Sequence, residues 1–171
     1  MTEEGHIPEE YQKGGDDVSP KETVILCVGN VLLSDEGVGV HVANELLKME
    51  LPSNVTVVEG GTDGFRLIDV ITEADRLIVV DAVRAGEEPG SIYRFDIDDV
   101  RHTPPGFKTS VHQVGILEVV DLSELLGKKP DTTVIGIEPK SLQMGMELTP
   151  EIKAKIPRVI ELVMEEIKRS V

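Results

Sequence analysis

Three side chains with metal-binding chemistry lie far apart in the sequence. Glu36 stands where a strand-like segment gives way to a helical one, Asp81 follows the apolar run 77–80, and His112 stands where a long loop enters a helix. Two carboxylates and one imidazole suit a divalent ion of intermediate hardness, such as nickel or zinc. Three ligands leave coordination positions open for a water or for a substrate's own ligands. These residue types indicate metal chemistry if the fold brings them together.

Each of the three residues also has an ordinary structural explanation. Glu36 beside Asp35 at the start of a helix would complement the helix dipole. His112 at the start of another helix could be held by a backbone group. Asp81 is harder to explain in this way, because a carboxylate that is buried needs a polar partner. The residues alone leave both interpretations open.

Two glycine-rich segments are further candidates for a binding cleft. Gly37 and Gly39 fall in the first helical segment, where each glycine costs about 1 kcal/mol relative to alanine. That cost predicts a close approach of the backbone, either by a strand or by a bound peptide. Gly60, Gly61 and Thr62 predict either a simple turn or a lip beside the cleft that adopts a positive φ.

The elements that must position these residues alternate along the chain. Apolar runs rich in branched residues begin near positions 24, 55, 77 and 132, with stretches of helical period between them. Segment 91–97 alternates apolar and polar residues, which predicts an antiparallel edge strand with one wet face. The order βαβαββαβα predicts an α/β fold, a three-layer α/β/α sandwich with a mainly parallel five-stranded sheet. Ligands bind such sheets beyond the carboxyl ends of the strands, where the three candidates are expected.

A last helix is predicted from residue 149 onward. Thr149 and Pro150 are typical of a helix start, and apolar residues then recur at helical spacing up to Ile167. Pro157 lies inside this segment and is expected to kink the helix, because a proline in a helix interior costs about 3 kcal/mol.

Composition excludes several classes of protein. The chain has 171 residues, a formal net charge of −15, two Tyr, three Phe and no Trp, so it is a poor candidate for nucleic-acid binding. Its single cysteine, Cys27, excludes an internal disulfide framework and a Cys-rich zinc site, and it is expected to be a core residue. The longest apolar run, 24–28, is far shorter than the ~20 residues that cross a membrane. We expect a cytoplasmic protein without a membrane partner.

The sequence divides into two parts. Residues 1–20 contain six acidic residues and are predicted to form a flexible acidic leader. Residues 21–171 are long enough for one α/β domain and too short for two ordinary ones. The sequence contains no Walker lysine motif, no HExxH motif and no Gly-x-Ser-x-Gly elbow.

Five short segments follow one another in a fixed order. They are 28–40 (VGNVLLSDEGVGV), 59–64 (EGGTDG), 79–82 (VVDA), 110–115 (SVHQVG) and 136–139 (GIEP). Together they resemble the nickel–iron hydrogenase maturation endopeptidases, and the likeness extends from about Thr23 to the C-terminus. The resemblance implies a twisted sheet between helices. It also implies an enzyme that removes a short C-terminal extension from the hydrogenase large-subunit precursor after nickel insertion.

The resemblance also assigns roles to individual residues. The family's metal-contacting acidic residue, aspartate and histidine fall on Glu36, Asp81 and His112, for which we expect both metal contact and a catalytic role. Some members of the family carry Asp at the position of Glu36, which still supplies a carboxylate. Some also carry Asp at the position of Glu59, and this difference argues against a direct role for Glu59.

The family's Gly-Gly-Thr loop falls on Gly60, Gly61 and Thr62, which are expected to contact the substrate. The nickel is expected to arrive with the precursor and not to be held tightly by the free enzyme. We expect the enzyme to act as a monomer. A water activated by the metal or by a carboxylate is the simplest attacking group.

Two other classes of function stay open at this point. The chain could hold the precursor as a nickel-handling or assembly factor without cutting it. It could also be an ordinary doubly wound domain that binds a small organic ligand at the strand ends, in which case nickel would be irrelevant.

Overall fold

Five strands form one sheet in the computed structural model, which describes residues 19–61, 67–101 and 111–169. The strands are β1 (Thr23–Val28), β2 (Val55–Gly61), β3 (Arg76–Ala82), β4 (Ile92–Asp96) and β5 (Asp131–Ile137). Their order in the sheet is β2-β1-β3-β5-β4. The first three strands and β5 are parallel, whereas β4 pairs antiparallel with β5 at one edge. The predicted fold class and the predicted antiparallel edge strand are confirmed.

Helices cover both faces of this sheet. They are α1 (Val38–Leu46), α2 (Ile68–Glu73), α3 (Ile97–Arg101), α4 (Val111–Leu125), α5 (Pro150–Lys153) and α6 (Ile156–Lys168), with a short 3-10 helix at Ser34–Gly37. Apolar residues of α1 and α6 pack on one face, and those of α2, α3 and α4 pack on the other. None of the helices within the described ranges is both long and apolar enough to span a membrane.

The central strands β1 and β3 are buried along their whole length because both of their faces are covered. Successive side chains of β1 point to alternate faces, so Ile25 packs with α1 and α6 while Leu26 packs with α2 and α4. This burial explains why these strands are recognised in the sequence as continuous apolar runs. In the edge strand β4 half-buried and exposed side chains alternate from Tyr93 onward, and Arg94 and Asp96 are the exposed ones.

The prediction of one kinked helix after Thr149 is wrong. The segment forms two helices, and α6 begins at Ile156 with Pro157 in its first turn. The first N–H groups of a helix have no partner within the helix, so a proline there removes no hydrogen bond. Pro157 therefore marks the start of a second helix and not a kink within one.

A buried carboxylate attaches α6 to the sheet. Glu166 is fully buried and forms an ion pair with Arg76 of β3. The same carboxylate accepts ion-pair contacts from Arg94 Nε at 3.0 Å and from an Arg169 guanidinium nitrogen at 2.9 Å. Because paired charges offset the cost of removing a carboxylate from water, Glu166 can lie inside the apolar α6 layer.

Of the predicted leader, only Ser19 and Pro20 lie within the described residues. The division of the chain into a leader and a domain therefore stays a prediction.

Candidate active site

The carboxyl ends of β1 and β3 define the candidate site. These two strands are neighbours in the sheet. On the other side of β1 lies β2, and on the other side of β3 lies β5. In an open parallel sheet the crevice for a ligand forms where neighbouring strands connect in opposite directions. The predicted site residues are expected to lie near this point.

Glu36 lies on the 3-10 helix Ser34–Gly37, which follows β1 and packs against β3. It is half-buried, its backbone N–H donates to Leu33 O at 3.2 Å, and its carbonyl accepts from Asn30 N–H at 3.2 Å. A Cβ at Gly29 would lie 2.3 Å from Glu36 O, so only glycine fits beneath this turn. The sequence from Gly29 to Glu36 thus folds as a tight loop that holds Glu36 at the end of β1.

Asp81 is the sixth residue of β3 and is fully buried. By the alternation of the strand its side chain lies on the same face as those of Leu77 and Val79, the face covered by α2 and α4. Its Oδ1 accepts a hydrogen bond from Ala82 N–H at 2.8 Å. The structure therefore places a buried carboxylate at the carboxyl end of β3, as the sequence predicts.

His112 is the second residue of α4, and its side chain lies outside the described residues. The helix ends at Leu125, a short connection before β5 begins at Asp131. A helix of 15 residues is about 22 Å long, so its first turn lies near the opposite, carboxyl end of β5. The backbone of His112 is thus at the same end of the sheet as Asp81.

Convergence of the three predicted ligands stays a prediction. Among the side chains that the structure describes, no three of His, Cys, Asp or Glu form a group able to hold a metal ion. The imidazole of His112 is not among those side chains. Glu36 and Asp81 are placed on two elements in contact, and the third ligand is placed by its backbone alone.

A bulge at the end of β2 forms one side of the crevice. Cys27 pairs with Glu59, but Val28 pairs with Gly61, so Gly60 is the extra residue. Gly61 has a φ of +55° and faces open space, which agrees with the expected lip of positive φ. Thr62 lies outside the described residues, and contact of the Gly-Gly-Thr loop with substrate stays a prediction.

The structure shows which group approaches the backbone closely at Gly39. A Cβ at this position would lie 2.0 Å from Val28 O and 2.8 Å from Val80 O. Its glycine is therefore required by the approach of the strands and not by a bound peptide. The approach places the start of α1 against the carboxyl ends of β1 and β3.

Cys27 is excluded as a nucleophile. Its thiol is fully buried in β1, and burial, followed by the negative charge of Glu59, raises the pKa of Cys27 to about 12. Since the thiolate is the nucleophilic form, this cysteine is inert at neutral pH. The expectation that it is a core residue is confirmed.

Asp35 has a role that the sequence did not reveal. It is buried, and its Oδ2 accepts hydrogen bonds from the backbone N–H groups of Lys140 at 3.0 Å and Ser141 at 2.9 Å. Its Oδ1 accepts one from Thr149 N–H at 2.7 Å. The Thr149 hydroxyl donates to the same carboxylate instead of capping α5. Asp35 thus attaches segment 140–149 to the turn that carries Glu36.

Glu138 is a second residue whose role the sequence did not reveal. It is buried, and its Oε2 accepts hydrogen bonds from Ala85 N–H at 2.8 Å and from the Tyr93 hydroxyl at 2.6 Å. Burial and the bond to Glu138 raise the pKa of Tyr93 well above its ordinary value. Glu138 therefore fixes the loop that leaves β3 directly after Asp81. Its place in the GIEP segment was the available signal.

A groove of about 870 Å³ lies elsewhere, between α1 and α6. Its lining includes His41, Lys48, Glu147 and Ile160, but neither Glu36 nor Asp81. The groove is therefore not the crevice at the strand ends, and the donor chemistry of the crevice identifies the candidate site.

Comparison with known proteins identifies the family of this chain. The family model described as hydrogenase maturation protease matches residues 40–166, a range that includes Asp81 and His112. The chain is 39% identical to a hydrogenase expression/formation protein, HupD, of Bradyrhizobium diazoefficiens, over 83% of this chain and 76% of the relative. It is 33% identical to the hydrogenase 2 maturation protease of Escherichia coli, over 86% and 91% of the two chains.

Solved structures show the same relationship. The hydrogenase maturating endopeptidase HybD of E. coli superposes with a TM-score of 0.78 at 30% identity and covers 87% of this chain and 93% of its own. The [NiFe] hydrogenase maturation protease HybD of Thermococcus kodakarensis superposes with a TM-score of 0.74 at 27% identity and covers 85% and 99%. The predicted enzyme class is thereby confirmed. The chain belongs to the hydrogenase maturation protease family and is an endopeptidase that acts in hydrogenase maturation.

Proposed function

We propose that this endopeptidase removes a short C-terminal extension from the precursor of a hydrogenase large subunit once nickel has been inserted. The observation that carries the proposal is the contact between the Ser34–Gly37 turn, which bears Glu36, and β3, which bears the buried Asp81. This contact lies at the switch point of the sheet, where a cleft for a polypeptide end can form.

In this proposal the nickel is part of the substrate. Thiolates of the precursor hold the ion, and Glu36, Asp81 and His112 fill its vacant coordination positions. Two carboxylates and an imidazole bind nickel adequately, and the thiolates of the precursor complete the coordination shell. The enzyme can then distinguish a loaded precursor from an empty one.

Coordination of the nickel would also place the scissile bond. It fixes the tail of the precursor in the cleft and lets the ion polarise the scissile carbonyl or a water. Water is the attacking group in this proposal, because the thiol of Cys27 is buried and protonated. Asp35 and Glu138 act as positioning residues, since each fixes a backbone segment next to one of the proposed ligands.

The proposal also covers the partner, the compartment and the oligomeric state of the enzyme. The partner is the large-subunit precursor, and neither nucleic acid nor a membrane is required. We place the enzyme in the cytoplasm and propose that it acts as a monomer.

The test measures the mass of the precursor after incubation with the enzyme. We expect the nickel-loaded precursor to lose a C-terminal peptide and the nickel-free precursor to keep its full mass. The Glu36→Gln variant is expected to cut the loaded precursor at least about tenfold more slowly, because a neutral amide is a weaker metal ligand. Glu50→Gln, an exposed carboxylate beyond α1, is the matched control and should cut at the normal rate.

A loaded precursor that binds the enzyme and keeps its full mass would contradict proteolysis and favour an assembly factor. Equal cleavage with and without nickel would contradict recognition of the metal.

A further inference from the structure

Three large apolar side chains are exposed around one β-bridge near the candidate site. The bridge joins Leu33 to Gly145, and the side chains beside it are those of Leu32, Met144 and Met146. Their exposed fractions are 55%, 89% and 65%. We call these three side chains the apolar patch. Two exposed methionines on either side of Gly145, together with an exposed leucine, form the kind of apolar surface that proteins use for binding.

The two chain segments that carry the patch contain no charged residue, although Asp35, Lys140 and Glu147 flank them. Segments 29–34 and 141–146 contain no Asp, Glu, Lys or Arg, although 29% of the whole chain is charged. The net charge of −15 must therefore lie on other parts of the surface. An apolar segment that binds over these two segments buries none of their side chains as charged groups, so it avoids that desolvation cost.

Hydrogen bonds fix the two strands of the patch. Gly145 N–H donates to Leu32 O at 3.0 Å, and Ser34 N–H donates to Gly145 O at 2.7 Å. The Ser34 hydroxyl donates to Glu147 O at 2.9 Å. Asp35 holds the same segment through its contacts with Ser141. Because the backbone is already ordered, binding at the patch costs little additional conformational entropy.

The patch lies close in the chain to one residue of the proposed nickel-recognition site. The loop that carries Leu32 also carries Glu36, and the Glu36 N–H donates to Leu33 O at 3.2 Å. A chain bound over the patch therefore lies against the loop that bears the residue proposed to contact nickel.

We propose that the apolar patch is a docking surface for an uncharged, apolar segment of the hydrogenase precursor. This inference rests on the proposed function, since the same precursor occupies the crevice. A second copy of the chain fits less well, because a standard dimer interface uses about 20–30 residues from each partner and the patch supplies three. Methionine side chains adapt their shape to the partner, so they suit a substrate that must dock and then leave.

The test is the Met144→Ser/Met146→Ser double variant, measured in binding and in cleavage. We expect KM and Kd for the nickel-loaded precursor to rise about tenfold or more, with kcat unchanged at saturation, because the apolar contact contributes to binding and not to the reaction. The matched control is Leu125→Ser/Leu126→Ser, which removes two exposed leucines, 84% and 65% exposed, at the end of α4. It should keep the normal KM.

Circular dichroism and the Met144→Gln/Met146→Gln variant separate docking from folding. The glutamine variant keeps the length of the side chains and should show the same rise in KM. Cleavage with a normal KM in both methionine variants would overturn the docking surface while the proposed function stands. Binding that depends on the methionines, without any cleavage, would overturn the proposed function and leave the docking surface intact. A dimer in gel filtration that the methionine variants dissociate would assign the patch to self-association and also overturn the inference.

Discussion

At the scale of single residues, the adjacent carboxylates Asp35 and Glu36 have different environments. Asp35 is buried and accepts hydrogen bonds from three backbone N–H groups and one hydroxyl, whereas Glu36 in the same turn is half-buried. A carboxylate whose two oxygens both accept hydrogen bonds from the protein has a structural role. Glu36 is the member of the pair that we propose as a metal ligand.

We expect Asp35→Asn to destabilise the protein by about 2–4 kcal/mol, because an amide has one acceptor atom in place of two and leaves buried donors unsatisfied. Urea unfolding followed by circular dichroism measures this change. The matched control is Asp131→Asn, an exposed aspartate, for which we expect a change within about 0.5 kcal/mol. Equal midpoints for the two variants would show that Asp35 does not anchor segment 140–149.

Cys27 should resist alkylation in the folded protein. With a pKa of about 12 its thiolate fraction at pH 8 is roughly a thousandfold below that of an unfolded cysteine, whose pKa is about 8.5. Iodoacetamide labelling with and without urea measures the difference. Native labelling within tenfold of the rate in urea would disprove the burial of this thiol.

The same pKa shift of Cys27 predicts a pH dependence of stability. The unfolded chain loses the thiol proton above about pH 8.5, while the folded chain keeps it up to about pH 12. The unfolded state therefore binds fewer protons in this window, and the free energy of unfolding falls as pH rises through it.

Residue types and their positions predict three site residues, and their convergence stays a prediction. Glu36, Asp81 and His112 are recognisable because each follows a strand or begins a helix and matches a family motif. The roles of Asp35 and Glu138 are not recognisable, because their partners lie 105 or more residues away for Asp35 and 45 or more for Glu138. Only the assembled fold shows such long-range hydrogen bonds.

At the scale of elements, the contact between α1 and the sheet determines where the turn of Glu36 lies. Gly39→Ala should destabilise the protein by at least about 2 kcal/mol, although alanine favours an isolated helix by about 1 kcal/mol. The reason is the approach of the new Cβ to Val28 O and Val80 O. Thermal unfolding measures the change, and Gly145→Ala, where nothing lies within 4 Å, is the control. Stabilisation by Gly39→Ala would contradict the close packing of α1.

The start of α6 gives a second test at this scale. Pro157→Ala should change the free energy of unfolding by less than about 1 kcal/mol, because this proline occupies the first helical turn. Glu161→Pro, in the helix interior, should cost about 3 kcal/mol or more. An increase of about 3 kcal/mol in the free energy of unfolding from Pro157→Ala would instead support a single helix kinked at Pro157.

The spacing of apolar residues predicted the strands well where the burial pattern is regular. The continuous apolar runs of β1 and β3 and the alternation in β4 match the strands that form. The break between α5 and α6 was missed because the apolar stripe from Ile152 to Ile167 continues through it. Helical period reports which face is buried, and it does not report whether the backbone hydrogen bonds continue.

At the scale of the whole molecule, the parallel sheet brings together the ends of segments far apart in the chain. The end of β1, the end of β3 and the start of α4 lie at one edge, so residues 36, 81 and 112 share that edge. The central claim is that these three residues recognise nickel held by the precursor.

The most direct measurement compares the affinity of the enzyme for dye-labelled precursor with and without nickel, by rapid mixing before cleavage proceeds. We predict that the wild-type enzyme prefers the loaded precursor by at least about tenfold, or about 1.4 kcal/mol. Asp81→Ala and His112→Ala should each lose this preference while their affinity for the nickel-free precursor stays unchanged. An undiminished preference in both variants would contradict the claim.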